Sequence, residues 1–133
     1  MIRTSVRHVL TILAVADLER SSRFYDRAFG WEKSVDEPVY VEYSLPGGMR
    51  LGLYDRVAFG RNTGLVPARI PSGELAPTEL YLYADDVEGA MRALTDAGAR
   101  PLGGLERRPW GDEAAYFADP DGNVIVVARP LAG

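Results

Sequence analysis

The chain reads as an α+β fold made of two copies of a β-α-β-β-β module. Three observations lead there. An apolar strand followed by an Asp-capped helix occurs twice, first around Asp17 and again around Asp85-Asp86. Each helix pattern closes on a glycine, Gly30 or Gly98, and short strands follow. Each half then contains a strong turn between two apolar strands, Pro46-Gly47-Gly48 in the first and Asp119-Pro120-Asp121-Gly122 in the second. Self-similarity of this kind marks a repeated supersecondary unit.

Residues Val6 to Ala16 are apolar and β-branched and predict a buried strand. Asp17 stands at an N-cap, where its carboxylate accepts from a free backbone N–H; Leu18, Phe24, Tyr25 and Ala28 make the helix's apolar stripe. Gly30 supplies the left-handed residue that ends it. Strands follow over Trp31 to Val35, Val39 to Leu45 and Met49 to Tyr54, the last two joined as a hairpin. The second half repeats the order. Thr78 to Ala84 is a strand, and Asp85 with Glu88 forms a capping pair. Val87, Ala90, Met91 and Leu94 are the helix stripe, and strands lie around Pro101 to Leu105, Asp112 to Ala118 and Val124 to Arg129. In Asp-Pro-Asp-Gly, proline presets its backbone angle, glycine supplies a positive φ and the aspartates bond nearby amides. That chemistry accounts for Asp119 and Asp121 as turn formers.

The organisation is thus a single domain over 1–133, with a first module at 6–54, a connector at 55–77 and a second module at 78–129. The connector carries Pro67, Pro71 and Pro77 with Gly60, Gly64 and Gly73, so no long regular element is expected in it. It exceeds the roughly 12–15 residues usual for an idle loop. Its apolar residues suit either a packed connector or a lid over a ligand.

Composition bounds the function. At 133 residues with 47% hydrophobic side chains, the chain can build a core without disulfides, and it has no cysteine for thiolate ligation or nucleophilic attack. A net charge of −4 argues against nucleic acid as partner. No apolar run approaches the ~20 residues that span a bilayer. The apolar run ending at Ala16 leads straight into a helix start, unlike a signal peptide, so a cytoplasmic location is expected. No Ser-His-Asp order, phosphate-binding glycine loop or nucleophile elbow is present.

Three ordered segments resemble the vicinal-oxygen-chelate superfamily of glyoxalases, bleomycin-resistance proteins and extradiol dioxygenases. They are Val15-Ala16-Asp17-Leu18-Glu19-Arg20-Ser21 through Phe24-Tyr25 to Phe29-Gly30; Tyr83-Ala84-Asp85-Asp86-Val87 through Ala97-Gly98-Ala99; and Trp110-Gly111 through Asp119-Pro120-Asp121-Gly122-Asn123. The resemblance implies a curved, cleft-forming mixed sheet with helices on its outer face, commonly completed in a homodimer. It also implies four metal-ligand positions on the concave face. Counting seven residues back from Asp17 and from Asp86 places two of them at Leu10 and Glu79. The others fall at Gly52, and at Val126 four residues after Gly122. Only Glu79 among these has a side chain that ligates, whereas a catalytic metal generally needs about three protein ligands. His8, the sole histidine, lies two residues before Leu10 and by alternation shares its face, which would still give only a two-ligand set with Glu79. The reading is a metal-less member with no cofactor.

The same alternation puts Leu10, Ile12, Ala14, Arg50, Tyr54, Glu79, Tyr81, Tyr83, Val124, Val126 and Ala128 on the concave face. Leu13, Val15, Leu80, Leu82, Ile125 and Val127 go under the helices. A trough of this kind suits an apolar or aromatic organic molecule held by stacking and a few polar groups. The candidate ligand-binding residues are Leu10, Ile12, Arg50, Tyr54, Glu79, Tyr81, Tyr83, Trp110 and Val126. Tyr81 and Tyr83 serve equally well as filling for the sheet, Trp31 reads as core, and Trp110 stands at a strand entrance. Glu79 has two roles open. A desolvated carboxylate is a base, and a carboxylate paired with Arg50 or a tyrosine is merely satisfied. The expected function is metal-free binding of an antibiotic-like or secondary-metabolite-like molecule; the alternative is a glyoxalase-type lyase, isomerase or dioxygenase-like enzyme using Glu79 or an atypical metal site. Dialysed protein incubated with Zn, Ni, Mn or Fe(II) is expected to retain far less than one equivalent, measured by elemental analysis. Near-stoichiometric retention of any of them overturns the metal-less reading.

Overall fold

A computed structural model describes residues 4–132. The first module is β1 (Leu10–Val15), α1 (Leu18–Phe29), β2 (Glu32–Glu37), β3 (Tyr40–Ser44) and β4 (Arg50–Asp55). The segment 56–63 is α2 (Arg56–Thr63), and the second module is β5 (Glu79–Tyr83), α3 (Val87–Asp96), β6 (Arg100–Arg107), β7 (Asp112–Ala118) and β8 (Val124–Pro130). The strands form two four-stranded mixed sheets of matching order, β1-β4-β3-β2 and β5-β8-β7-β6, and the fold is α+β. In each sheet the first strand pairs parallel with the last, and the remaining pairs are antiparallel. β1 and β5 therefore stand at open sheet edges.

Local chemistry sets the helix ends. The Asp17 carboxylate accepts from Arg20 N–H, and Gly30 ends α1 at φ 61°. For α3 the cap is Asp86, accepting from Gly89 N–H, not Asp85. The first strand is also shorter than the run beginning at Val6, because β1 starts at Leu10, where pairing with Arg50 begins. Val6 is 88% exposed and His8 lies before the strand, so strand alternation does not govern it. The connector holds a helix after all. Asp55 caps α2 by accepting from Ala58 N–H, and Gly64 closes it at φ 82°. Its glycines and prolines lie at or beyond that helix's end apart from Gly60, whose Cα sits so close to Val66 that a Cβ there would meet it at 2.7 Å. No helix among the described residues is long and apolar enough to cross a membrane.

One apolar core joins both modules. Leu13, Val15, Leu51 and Leu53 from the first sheet and Ile125 and Val127 from the second meet Phe24, Tyr25, Val87 and Leu94 of the helices. Leu80 and Leu82 pack against this core, so the helix-facing parity of the strands is the one that alternation assigns. Tyr25 is fully buried and clusters with Phe29, Trp31 and Tyr43; Trp31 stacks on Phe29 with centroids 4.2 Å apart.

Hydrogen bonds from the Asp119–Asn123 turn fasten the modules together. Asp119 is 6% exposed and accepts from Tyr25 Oη–H at 2.7 Å, from Asn123 Nδ2–H and from the N–H groups of Asp121 and Asn123. Asp121 accepts from Ala16 N–H at 2.9 Å and Ser21 Oγ–H at 2.8 Å, both in the other module. The turn formers thus also bridge the modules. Burial pushes the Asp119 carboxyl above its ordinary range, while the hydrogen bonds from Tyr25 and Asn123 pull it back. Gly122 has φ 82°, and a Cβ on it would lie 2.5 Å from Glu74 O, so the connector is laid directly on the turn. Replacing Asp121 with alanine strands the Ala16 and Ser21 donors at a partly buried seam. A loss of about 1–3 kcal/mol in unfolding free energy is expected from denaturant titration, and unchanged stability would show that the turn does not fasten the modules.

Candidate functional site

The residues proposed from the sequence divide into two groups around the open edges. The first lies on the helix-free face of the first sheet. Arg50 and Tyr54 face that side of β4, flanking Gly52, with Leu10 and Ile12 beside them on β1. Leu10 is half-buried and Ile12 is exposed. A Cβ on Gly52 would lie 2.5 Å from the Tyr40 hydroxyl and 3.0 Å from Ile12, so tyrosine fills the space that the fold leaves above this residue. Tyr54 packs against Tyr40 and Phe59, at centroid distances of 5.0 and 5.8 Å.

Beneath them lies Glu42, buried at 7% exposure. Tyr40 Oη–H donates to it at 2.6 Å and Arg50 Nη1–H at 3.0 Å. Arg50 is thus satisfied by Glu42 and not by Glu79. Burial first, then the hydrogen bond to Glu42, pushes the Tyr40 phenol above its ordinary range.

The second group lies on the corresponding face of the second sheet. Tyr81 Oη–H donates to Asp112 at 2.6 Å, and Tyr83 Oη–H lies 3.1 and 3.2 Å from the two oxygens of the same carboxylate. Trp110 Nε1–H donates to Tyr81 Oη at 2.7 Å. Asp112 is 5% exposed, whereas Trp110 and Tyr83 are 55% and 65% exposed. The Tyr81 phenol is pushed up by partial burial and by its hydrogen bond to Asp112; for Tyr83 that hydrogen bond is the leading cause. Val126, across from Tyr81 in the register, is fully buried in a small cluster with Ala114, Ala128 and Tyr116, and Arg108 lies 4.9 Å from the Tyr116 ring centroid. It forms a floor, not a wall.

Between the two edges runs a groove of about 610 Å³. Phe29, Trp31, Leu45, Met49, Leu80 and Leu82 give it an apolar lining. His8, Thr11, Arg50, Glu79, Tyr81 and Tyr83 supply its polar groups. Of the nine proposed ligand residues, Arg50, Glu79, Tyr81 and Tyr83 line this groove, and Leu10, Ile12, Tyr54, Trp110 and Val126 do not. Glu79 is exposed at the start of β5. His8 is also exposed, with Nε2 3.0 Å from Thr11 Oγ1.

Glu42, Tyr40 and Asp112 were not singled out from the sequence, although alternation carried one step further finds them. Glu42 pairs with Gly52, and Asp112 shares the parity of Ala114 and Tyr116. Among the described residues no three His, Asp or Glu side chains are grouped so that they could hold a metal ion.

A model of the glyoxalase/bleomycin resistance protein/dioxygenase superfamily matches residues 5–127, and the chain belongs to that superfamily. Among curated proteins none matches. Solved structures do. A glyoxalase-related enzyme from Fulvimarina pelagi is 25% identical with a TM-score of 0.80, over 92% of this chain and 86% of that one. A glyoxalase/bleomycin resistance protein/dioxygenase from Nocardioides is 24% identical, also with a TM-score of 0.80, over 99% and 88%. A family enzyme from Burkholderia phytofirmans PsJN is 20% identical with a TM-score of 0.76, over 92% and 97%.

The phenols give a prediction for alkali. Tyr25, Tyr40, Tyr43, Tyr81 and Tyr83 are all raised above the ordinary 10.0, Tyr25 and Tyr43 chiefly by burial. The fold favours the neutral phenol, so this stability is fully present below pH 10 and is lost as pH rises through the raised values. At pH 10 the folded protein should show well under half the phenolate absorbance of the denatured chain, with the remainder appearing as the fold opens. Phenolate absorbance matching the denatured chain at every pH would contradict the hydrogen-bonded phenols.

Proposed function

We propose that this protein binds a small organic molecule without a metal, in the groove between its modules. The observation that carries the reading is the groove's composition. An indole, a phenyl ring, four leucines and a methionine line it with a few polar groups, and such a lining supports recognition of an apolar or aromatic body with an oriented polar substituent. The donor set supports the metal-free part, since Leu10, Gly52 and Val126 offer no ligand where the superfamily resemblance implies one. An antibiotic-like or secondary-metabolite-like compound has the required character, and a homodimer in the cytoplasm is part of the proposal. The open edges at β1 and β5, with Ile12 and Tyr83 exposed, support a second copy alongside.

A lyase or isomerase in the same groove is the second reading. It draws on Glu79 as a base, or on an atypical metal site with His8, and both residues line that groove. Metal retention separates the two where a metal would be needed.

The test is binding of a neutral apolar dye, N-phenylnaphthylamine, to the whole chain. Saturable fluorescence enhancement is expected, and Met49→Glu, which places a charge in the apolar lining, should weaken it by about tenfold or more. An unaltered titration in that variant, or no saturable binding to the parent, would overturn the groove as the ligand site.

A further inference from the structure

Asp112 poses a problem of charge that the groove alone does not answer. A buried carboxylate is ordinarily paired with a cation or held by several donors. Glu42 has Arg50 at 3.0 Å. Asp119 has a phenol, an amide and two backbone N–H groups. Asp112 is equally buried, yet its side chain is held by the phenols of Tyr81 and Tyr83 alone, and no ion pair reaches it among the described residues. Arg108, close in sequence, is turned away: its guanidinium donates to Gly104 O and Ala114 O and lies over Tyr116.

The groups that surround this carboxylate are aromatic. Tyr81 and Tyr83 meet at 70° with centroids 6.1 Å apart, and Trp110 is tied to Tyr81 through its indole N–H. Hydrogen bonding to an anion makes each phenol ring more electron-rich, and ring faces attract cations through their quadrupoles. The rings are largely exposed, so their faces are available to a solute. The net charge of −4 draws cations toward the protein as a whole.

We infer that Tyr81, Tyr83 and Trp110, with Asp112 at their base, form a subsite for the ammonium group of an organic cation. A quaternary or tertiary ammonium fits better than a metal ion, because its methyl groups contact ring faces and the carboxylate acts through the phenols. The inference rests on the proposed small-molecule function and deepens it: Tyr81 and Tyr83 also line the groove, so the ammonium sits at one end and an apolar body extends along the groove. The ligand class is therefore an amphiphilic organic cation.

The test compares choline with its neutral carbon analogue, dimethylbutanol, by following the Trp110 indole N–H resonance of the full chain. Choline should shift it saturably and bind about tenfold more tightly than the neutral analogue. That preference should collapse in Asp112→Asn and in Trp110→Ala, the latter followed through the amide resonance of Tyr83. The Trp110 variant alters an exposed side chain and keeps the test valid if Asp112→Asn does not fold. Equal binding of both probes, or binding of neither, overturns the cation subsite, as does a preference surviving in a folded Asp112→Asn. N-phenylnaphthylamine binding in the same variants reports the groove separately. Dye bound normally with no choline preference means the subsite is wrong and the groove stands, whereas choline preference without dye binding means the reverse.

Discussion

Everything in this molecule depends on how the Asp119–Asn123 turn is satisfied. Two four-stranded sheets with open edges have no ladder of hydrogen bonds joining them, so their relative placement must come from elsewhere. Part comes from the shared apolar core under α1 and α3, which is non-directional. Direction comes from Asp121, which reaches across to Ala16 and Ser21, and from Asp119, which fixes the buried Tyr25 hydroxyl. Because Asp119 is buried, losing the Tyr25 donor weakens its compensation, and that penalty favours the observed arrangement of the modules.

The repeat is symmetrical in topology but not in how its two turns are used. The β7–β8 turn has carboxylates and closes on α1. Its counterpart in the first module, the β3–β4 turn, is Pro46-Gly47-Gly48, which has no side-chain hydrogen-bonding group to close on α3. Leu45, Pro46 and Met49 instead line the groove, as does Ala90 of α3. One end of the inter-module seam is therefore pinned and the other stays open.

What was legible in the sequence follows the range of the interactions involved. The modules, α1 with its Asp17 cap, Gly30 and the β7 boundaries depend on residues within a turn or two of each other, and those could be read. The parity of β1, β5 and β8 could be read as well, because alternation is local. Errors arose where two local solutions compete. Asp85 and Asp86 are adjacent caps, and only the placement of α3 selects Asp86. Val6 to Val9 are as strand-like as β1, but β4 begins at Arg50 and offers them no partner. In the connector, proline and glycine counts hid the eight residues of α2, which begin behind a good Asp55 cap. In the candidate site, Arg50, Glu79, Tyr81 and Tyr83 line one groove, while Arg50 reaches Glu42 across eight residues and Tyr81 reaches Asp112 across thirty-one. Alternation places Glu42 beside Tyr40 on one face of β3, but it does not announce partners on other strands.

The two groups on the helix-free faces surround the positions where the superfamily resemblance implies ligands. At Gly52, where the resemblance implies a carboxylate, the Tyr40 ring occupies the space, and its hydroxyl is held by Glu42 of the same strand, β3. Where a side chain from Val126 would project, Ala114 and Tyr116 bury it, with Arg108 over the Tyr116 ring. These substitutions are mutually consistent. Each face has its own internal hydrogen-bonding partners and an aromatic surface. Such a surface is already satisfied without an ion. What the second face presents to solvent is ring face and edge, over a buried carboxylate held by two phenols. That combination attracts a soft organic cation more than a hard metal, because the cation's hydration is weak enough to be exchanged for aromatic contact.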